Sequence, residues 1–336
     1  MKALAWDGNG GLELVERPVP GTAPGQVLVT VRSAGICGSD LHNFGKARPF
    51  AGIIPGHEVG GVVEAVGDGV ALEPGTPVAV EGAYACEECA YCRAGHHAHC
   101  QRLQFVGFNA PGAMAEYIAA PAAAVYPLPG TVPPEWGALA EPLSICVRAT
   151  RQARVTTGDR VIILGGGTIG LLAIVTARAA GASEVFVTAR HPHQAEMART
   201  LGAAGVFADG ATAMRAVGPG SMDVVIETVG GTAATPAEAV QLARPLGTVC
   251  ITGIFEGDSS LPMTVVALKE LSIVGSFGYH RNTGQSDFAI GCDLLGRQFD
   301  ALRPLVTHTY TLDRGNEAFR TAQDKATGSI KVHFRL

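Results

Sequence analysis

Four of the chain's eight cysteines fall within fifteen positions of the stretch EGAYACEECAYCRAGHHAHC, residues 81–100: Cys86, Cys89, Cys92 and Cys100. Their spacing, C-x2-C-x2-C-x7-C, suits a tetrahedral all-thiolate site with no vacancy, the donor set of a structural zinc. Disulfide pairing is the weaker reading. The N-terminal MKALAWDGNGGLEL has no long apolar run after Lys2, so no secretory signal is expected, and a reducing compartment keeps thiols free or metal-bound. An iron–sulfur run would share C-x2-C-x2-C but continue with three residues and Cys-Pro; here seven intervene and Gln101 follows. Arg93 and Arg102 are expected to offset the charge of four thiolates by N–H···S contacts. His96, His97 and His99 read as solvated loop residues.

A second set of donors is scattered. AGICGSDLH carries Cys37, Ser39, Asp40 and His42; IIPGHEVGG carries His57 and Glu58; ALAEPLSIC carries Glu141 and Cys146. A catalytic zinc needs three protein ligands and one open position, and Cys37, His57 and one carboxylate would supply them. Both short segments are Gly- or Pro-marked turns after apolar runs, where reactive groups are usually displayed. Taken singly, each residue also reads as a buried Cys, a core His or a surface Glu. Cys146, Cys250 and Cys292 have no motif around them and read as small core residues.

A third element binds rather than reacts. ILGGGTIG places Gly165, Gly167 and Gly170 as G-x-G-x-x-G after an apolar strand and at the start of a helix. Glycine there allows a tight turn, close approach to a pyrophosphate and close helix–strand packing, and the helix N-terminus offers free N–H groups. Thr168 and Ile169 complete the turn, and Gly253, after a later strand, joins the expected cofactor contacts. The second strand ends VFVTARHPH, with Ala189 where an NAD-binding carboxylate would stand and Arg190 beside it. An arginine there favours a 2′-phosphate by about 1.5–3 kcal/mol, roughly 10- to 150-fold, so NADP(H) is expected over NAD(H).

The surrounding sequence divides accordingly. Residues 1–144 alternate short β-branched runs such as QVLVTVRSAGI with Pro and Gly, an all-β pattern with many turns. Residues 145–278 repeat strand, glycine turn and helix, which predicts a parallel sheet covered on both faces. Residues 279–336 read as polar turns, GCDLLGRQFD and DRGNEAFRTA, and a last strand SIKVHFRL that returns to the first region. A formal charge of −5 with scattered Lys and Arg argues against a nucleic-acid or anionic-membrane partner. The longest apolar window, RVIILGGGTIGLLAIVTARAAGA, is glycine-broken and reads as strand plus helix, not a membrane span.

PGHEVGGVVEAVG, CGSDLH, the cysteine spacing and ILGGGTIG together resemble the zinc-dependent medium-chain alcohol and polyol dehydrogenases. GAMAEYIAAPAAAVYPLP and EPLSICVRA extend the resemblance over essentially the whole chain, and EPLS is similar to the sorbitol and diol dehydrogenase branch. The resemblance implies a Rossmann-type doubly wound domain inserted into a β-rich GroES-like catalytic domain, with the active site in a cleft between them. It implies two zincs per chain. Cys37, His57 and Glu141 would be the catalytic ligands, Ser39 would bond the reacting oxygen, His42 would end the proton relay, and Asp40 would support the site. Glu58 is expected as an exchangeable or outer group, because a second carboxylate ligand would leave the centre net negative. A cytoplasmic homo-dimer or homo-tetramer acting on an alcohol or carbonyl substrate is the implied setting. Two other readings are a zinc-free quinone or enoyl reductase, which has no need of Cys37, His57 and Glu141 together, and a non-catalytic NADP(H) sensor, which needs no Ser39–His42 pair. Lys46 and Arg48 stand between the first two ligands, and Phe44, Phe50 and Phe108 are candidate pocket walls or core residues.

Overall fold

The computed structural model describes residues 1–47, 50–281 and 284–336, so Arg48 lies outside the described residues. Two compact units form: one from Met1–Ser144 with Tyr279–Leu336, the other from Ile145–Gly278.

The first unit is built on a seven-stranded sheet. Across it run Val306–Tyr310, Lys331–Arg335, Gln26–Gly35, Glu58–Val66, Pro77–Val80 and Val125–Pro127, with Tyr117–Pro121 paired to Gln26–Gly35. The ten-residue strand Gln26–Gly35 organises it. Its β-branched residues bury Val27, Val29 and Val31 against Val59, Val63 and Val78. It runs antiparallel to Glu58–Val66, with Gly35 opposite Glu58, and antiparallel to Lys331–Arg335, with Gly35 opposite His333. One strand end thus gathers chain segments that lie far apart in sequence.

The C-terminal segment departs from the expected turns. GCDLLGRQFD belongs to a helix, Asp287–Arg297, and a short one, Phe299–Leu302; DRGNEAFRTA contains the helix Gly315–Gln323. Glycine and aspartate suggested turns, but burial follows a helical stripe: Phe288, Gly291, Cys292 and Leu295, then Gly315, Ala318, Phe319 and Ala322. The Ser286 hydroxyl starts the first helix by accepting from Phe288 N–H at 3.1 Å. Gly291 fits because a Cβ there would meet Ser144 Oγ at 2.3 Å.

The second unit holds a six-stranded parallel sheet. Its order is Gly205–Phe207, Glu184–Thr188, Arg160–Leu164, Met222–Glu227, Ala243–Ile251, Ser272–Gly275. This is the doubly wound Rossmann order, in which the sequence of strands reverses beside Arg160–Leu164. Ile162, Leu164, Val225 and Val249 form its core. Cys146, Cys250 and Cys292 are buried, the last in the first unit. Among the described residues no helix is long and apolar enough to cross a membrane.

Candidate active site

The chain leaves strand Gln26–Gly35 through Ile36 and Cys37, and a single helical turn, Gly38–Leu41, follows. Cys37 N–H donates to Asp40 Oδ2 at 2.9 Å, which fixes that turn. On the neighbouring strand His57 and Glu58 face the same point. One ligand atom from each of Cys37, His57 and Glu58 lies within 4.8 Å of the other two. Gly35 makes room for this: a Cβ there would fall 1.8 Å from Glu58 Oε2. Asp40 Oδ1 stands 3.9 Å from His57 Nδ1.

Glu141, in the first turn of helix Ala140–Gln152, is only 5% exposed but lies outside that group of three. Burial pushes its carboxyl up to about 7, against the pull of His57; Glu58 and Asp40 add to the rise, and Lys331 opposes it. For His57 burial opposes the charged form, yet Cys37, Asp40 and Glu141 together raise it well above its usual range. Burial likewise raises Asp40, with His57 and the Cys37 N–H pulling it down. So many acids around one imidazole mark a site built for positive charge.

Sequence reasoning missed one participant. Lys331, on the strand Lys331–Arg335, reaches into this cluster and donates from Nζ to Glu58 Oε1 and, at 2.9 Å, to the Ile36 carbonyl. The sequence pattern KVHFR alternates polar and apolar residues, which suggests a solvated Lys-His-Arg face, but Lys331 and His333 are both buried. Gly35 was missed for a related reason, since only the geometry shows what a side chain there would strike. Phe105 and Phe108 stack at 4.6 Å, and both rings lie tilted against His57, at 5.3 and 5.9 Å. Phe108 is therefore a wall of the site. Phe44 packs on Phe319 at 5.2 Å and Phe50 against the hydrophobic core of the first unit. Lys46 is exposed. Ser39 is half-buried in the Gly38–Leu41 turn, and His42 follows at its end.

The donor chemistry tests whether a metal belongs here. Ser39 Oγ, His57 Nδ1 and Glu58 Oε2 are buried with no hydrogen-bond partner. Unsatisfied lone pairs beside a thiol are costly unless something electrophilic meets them. A thiolate, an imidazole and carboxylates suit a divalent ion such as zinc.

The second donor set is contiguous. Cys86, Cys89, Cys92 and Cys100 place one Sγ each within 4.8 Å of the others. Backbone N–H groups already point at the sulfurs: Cys86 at Cys100 Sγ (3.2 Å), Cys89 at Cys86 Sγ (3.4 Å) and Arg102 at Cys100 Sγ (3.3 Å). An Arg102 side-chain contact leads the causes that lower the Cys86 thiol to about 6, whereas burial lifts Cys92 to about 12. Arg93 instead donates to the Glu88 carbonyl. The three histidines are not simply solvated. His97 bonds the Gly95 carbonyl and Glu87, each at 3.1 Å, while His96 and His99 pack on the buried His280 ring at 5.4 and 5.3 Å. Arg281 clasps this lobe, bonding Glu87 at 3.0 Å and the Gly95 carbonyl through its N–H, and ties it to the rest of the first unit through Glu81 at 2.9 Å and the Ala123 carbonyl at 2.8 Å.

In the second unit the glycine turn follows strand Arg160–Leu164. Gly165 takes φ +112°, which a side chain would strain, and a Cβ on Gly170 would lie 1.7 Å from the Gly165 carbonyl. Gly167 caps helix Thr168–Ala179, so Thr168 and Ile169 occupy its first turn. Ala189 is buried under the turn, where a Cβ on Gly166 would touch its own at 2.7 Å. Arg190 is exposed and near enough to Asp209 to help Thr212 hold that carboxyl low. Gly253 N–H donates to the Glu227 carbonyl at 3.2 Å, beside the turn at Gly230.

The sequence and the fold both match known proteins. Residues 23–130 match the alcohol dehydrogenase GroES-like domain and residues 168–294 the zinc-binding dehydrogenase family. L-idonate 5-dehydrogenase of Vitis vinifera is 32% identical over 95% of this chain and 90% of its own length. A putative zinc-binding dehydrogenase from Sinorhizobium meliloti, solved bound to NADP, superposes with TM-score 0.89 at 28% identity, covering 100% of this chain and 99% of that one. An Escherichia coli alcohol dehydrogenase (rspB), solved with NADH, superposes with TM-score 0.90 at 27% identity, covering 100% and 99%. With two family matches and a relative aligned over nearly its full length, the chain belongs to the zinc-dependent medium-chain alcohol and polyol dehydrogenases.

Proposed function

We propose that this dehydrogenase passes a hydride between NADP(H) and a secondary alcohol, polyol or sugar-like substrate, and that it holds two zincs per chain. The observation that carries the reading is the convergence of Cys37, His57 and Glu58 around unsatisfied buried lone pairs. Cys37 and His57 would hold the catalytic ion with a carboxylate from Glu58 or Glu141; the four lobe cysteines would hold the structural one. A bound divalent ion supplies Lewis acidity, which eases loss of the alcohol proton near neutral pH.

The chain's own groups do the rest. Ser39 Oγ, with no protein partner, is available to accept the alcohol proton while handing its own toward His42, the outer end of the relay. Phe105 and Phe108 screen His57 from water and give the substrate carbon chain an apolar wall. In the cofactor turn, the Gly165–Gly170 backbone and the N-terminal end of helix Thr168–Ala179, with its positive dipole, receive the pyrophosphate. Arg190, with no carboxylate at Ala189, favours the 2′-phosphate. Copies of the chain are expected to associate as a dimer or tetramer, for Leu268 (81% exposed) and Met263 (64%) are exposed on the short helix that leads into the edge strand Ser272–Gly275.

The test is metal content together with kcat/KM for polyols and vicinal diols with each cofactor. Two zincs per chain and faster reduction of NADP⁺ are expected. Ala189→Asp with Arg190→Ile should move preference toward NAD⁺ by about 10- to 150-fold. A clear NAD⁺ preference in the unmodified enzyme would remove Arg190 from the scheme.

A further inference from the structure

Glu58 and Lys331 pose a problem that the metal reading alone leaves open. Both are buried, Lys331 at 3% and Glu58 at 0% exposure, and they lie 273 residues apart in sequence. Burying an ammonium costs several kcal/mol unless it is well paired. Here Nζ meets Glu58 Oε1 and the Ile36 carbonyl, the latter one residue before the thiol ligand Cys37. The other carboxylate oxygen, Oε2, has no partner and fills the space that Gly35 leaves free. The carboxylate is therefore held at one oxygen, while the other is buried without a hydrogen-bond partner.

Charge gives this geometry its meaning. A divalent ion with one thiolate and one carboxylate is neutral. Two carboxylates, Glu58 and Glu141, are buried within electrostatic reach of His57, and the second leaves a surplus negative charge that would repel a developing alkoxide. The Lys331 ammonium offsets one unit of the negative charge that Glu58, Glu141 and the buried Asp40 bring to the centre. It also removes one oxygen of Glu58 from competition, so Glu58 cannot close on the ion with both.

Resting on the metal reading above, we propose that Lys331 is the positioning residue that lets two carboxylates share the catalytic centre: it limits Glu58 to one oxygen, weakens it as a ligand, and keeps a place open for substrate. Without Lys331, Glu58 becomes a stronger and two-handed ligand that holds the ion more tightly and crowds substrate out.

Lys331→Met, Lys331→Arg and the unmodified enzyme, each loaded with cobalt(II) in place of zinc, separate this role from simple structural support. The measurements are the rate at which a chelator removes the catalytic ion, the visible cobalt bands, kcat and KM. Lys331→Met should release the ion at least about tenfold more slowly, show weaker cobalt bands as the coordination number rises, and lose about 10- to 100-fold in kcat. Lys331→Arg should restore most of the turnover and the band intensity. Faster release from Lys331→Met, with unchanged bands, would overturn the proposal and leave Lys331 as support for the fold. Should that variant not fold, Glu58→Gln with Lys331→Met removes both charges; it should fold and release the ion faster than the unmodified enzyme with altered bands, and unchanged release and bands would overturn the proposal. If the unmodified enzyme takes up one ion per chain, at the cysteine lobe alone, the metal reading itself falls before any variant is made.

Discussion

The two donor clusters of the first unit solve opposite problems. In the cysteine lobe, four ligands lie within fifteen positions, and backbone N–H groups already aim at their sulfurs. Nothing there waits for a substrate. In the other cluster the donors come from residues 37, 57 and 58, with Glu141 buried outside that group and a counter-charge from 331, and His57 Nδ1 and Glu58 Oε2 have no hydrogen-bond partner. A site that must bind something else has to keep unsatisfied atoms, and only distant, well-anchored strands can hold them against collapse. Satisfaction marks the structural centre, and its absence marks the reactive one.

The sharpest way to break this contrast is to remove one thiol from each cluster. Cys37→Ser should cost turnover heavily, about 10³-fold or more if the lost Lewis acidity is worth 4 kcal/mol or so, while the thermal midpoint stays near that of the unmodified enzyme. Cys100→Ser should do the reverse. Its midpoint should fall, about 2–4 °C for each kcal/mol lost from a unit of this size, with kcat at low temperature largely kept. Steady-state kinetics and thermal unfolding on both variants decide it; matching phenotypes would erase the division into catalytic and structural centres. A finer test is Gly35→Ala, which pushes a methyl into the place of Glu58 Oε2. Overpacking of this kind costs about 1–3 kcal/mol, and turnover should drop while the lobe's metal content stays unchanged, measured by metal analysis after mild chelation.

How much of this could be read from sequence follows from the same contrast. The lobe's spacing is local, so Cys86, Cys89, Cys92 and Cys100 announce themselves. The glycine turn is also local, since strand, G-x-G-x-x-G and helix follow one another. The reactive centre is not. Cys37 and His57 are legible as donors in displayed turns, but the weight between Glu58 and Glu141 depends on a charge that no spacing reveals. Counting charge without Lys331 places Glu58 in the outer role; the structure groups Glu58 with Cys37 and His57, with Glu141 buried outside that group. Lys331 escapes notice because KVHFR looks like an edge strand with a wet face, and its strand turns out to lie between two others, with both faces buried near the site. The helices of the C-terminal segment escape because their glycines pack tightly, a fact visible only in three dimensions.

The separation of Glu58 from Lys331 along the chain also bears on birth order. At about 5–20 residues per second, ribosomal synthesis delivers Lys331 roughly 14–55 seconds after Glu58. Through that interval a nascent chain carries Cys37, His57, Glu58 and Glu141 with no internal cation to quiet them. The last strand therefore does more than complete a sheet: its docking brings the Lys331 ammonium to Glu58, and a chain halted short of it would carry the donor residues without that counter-charge.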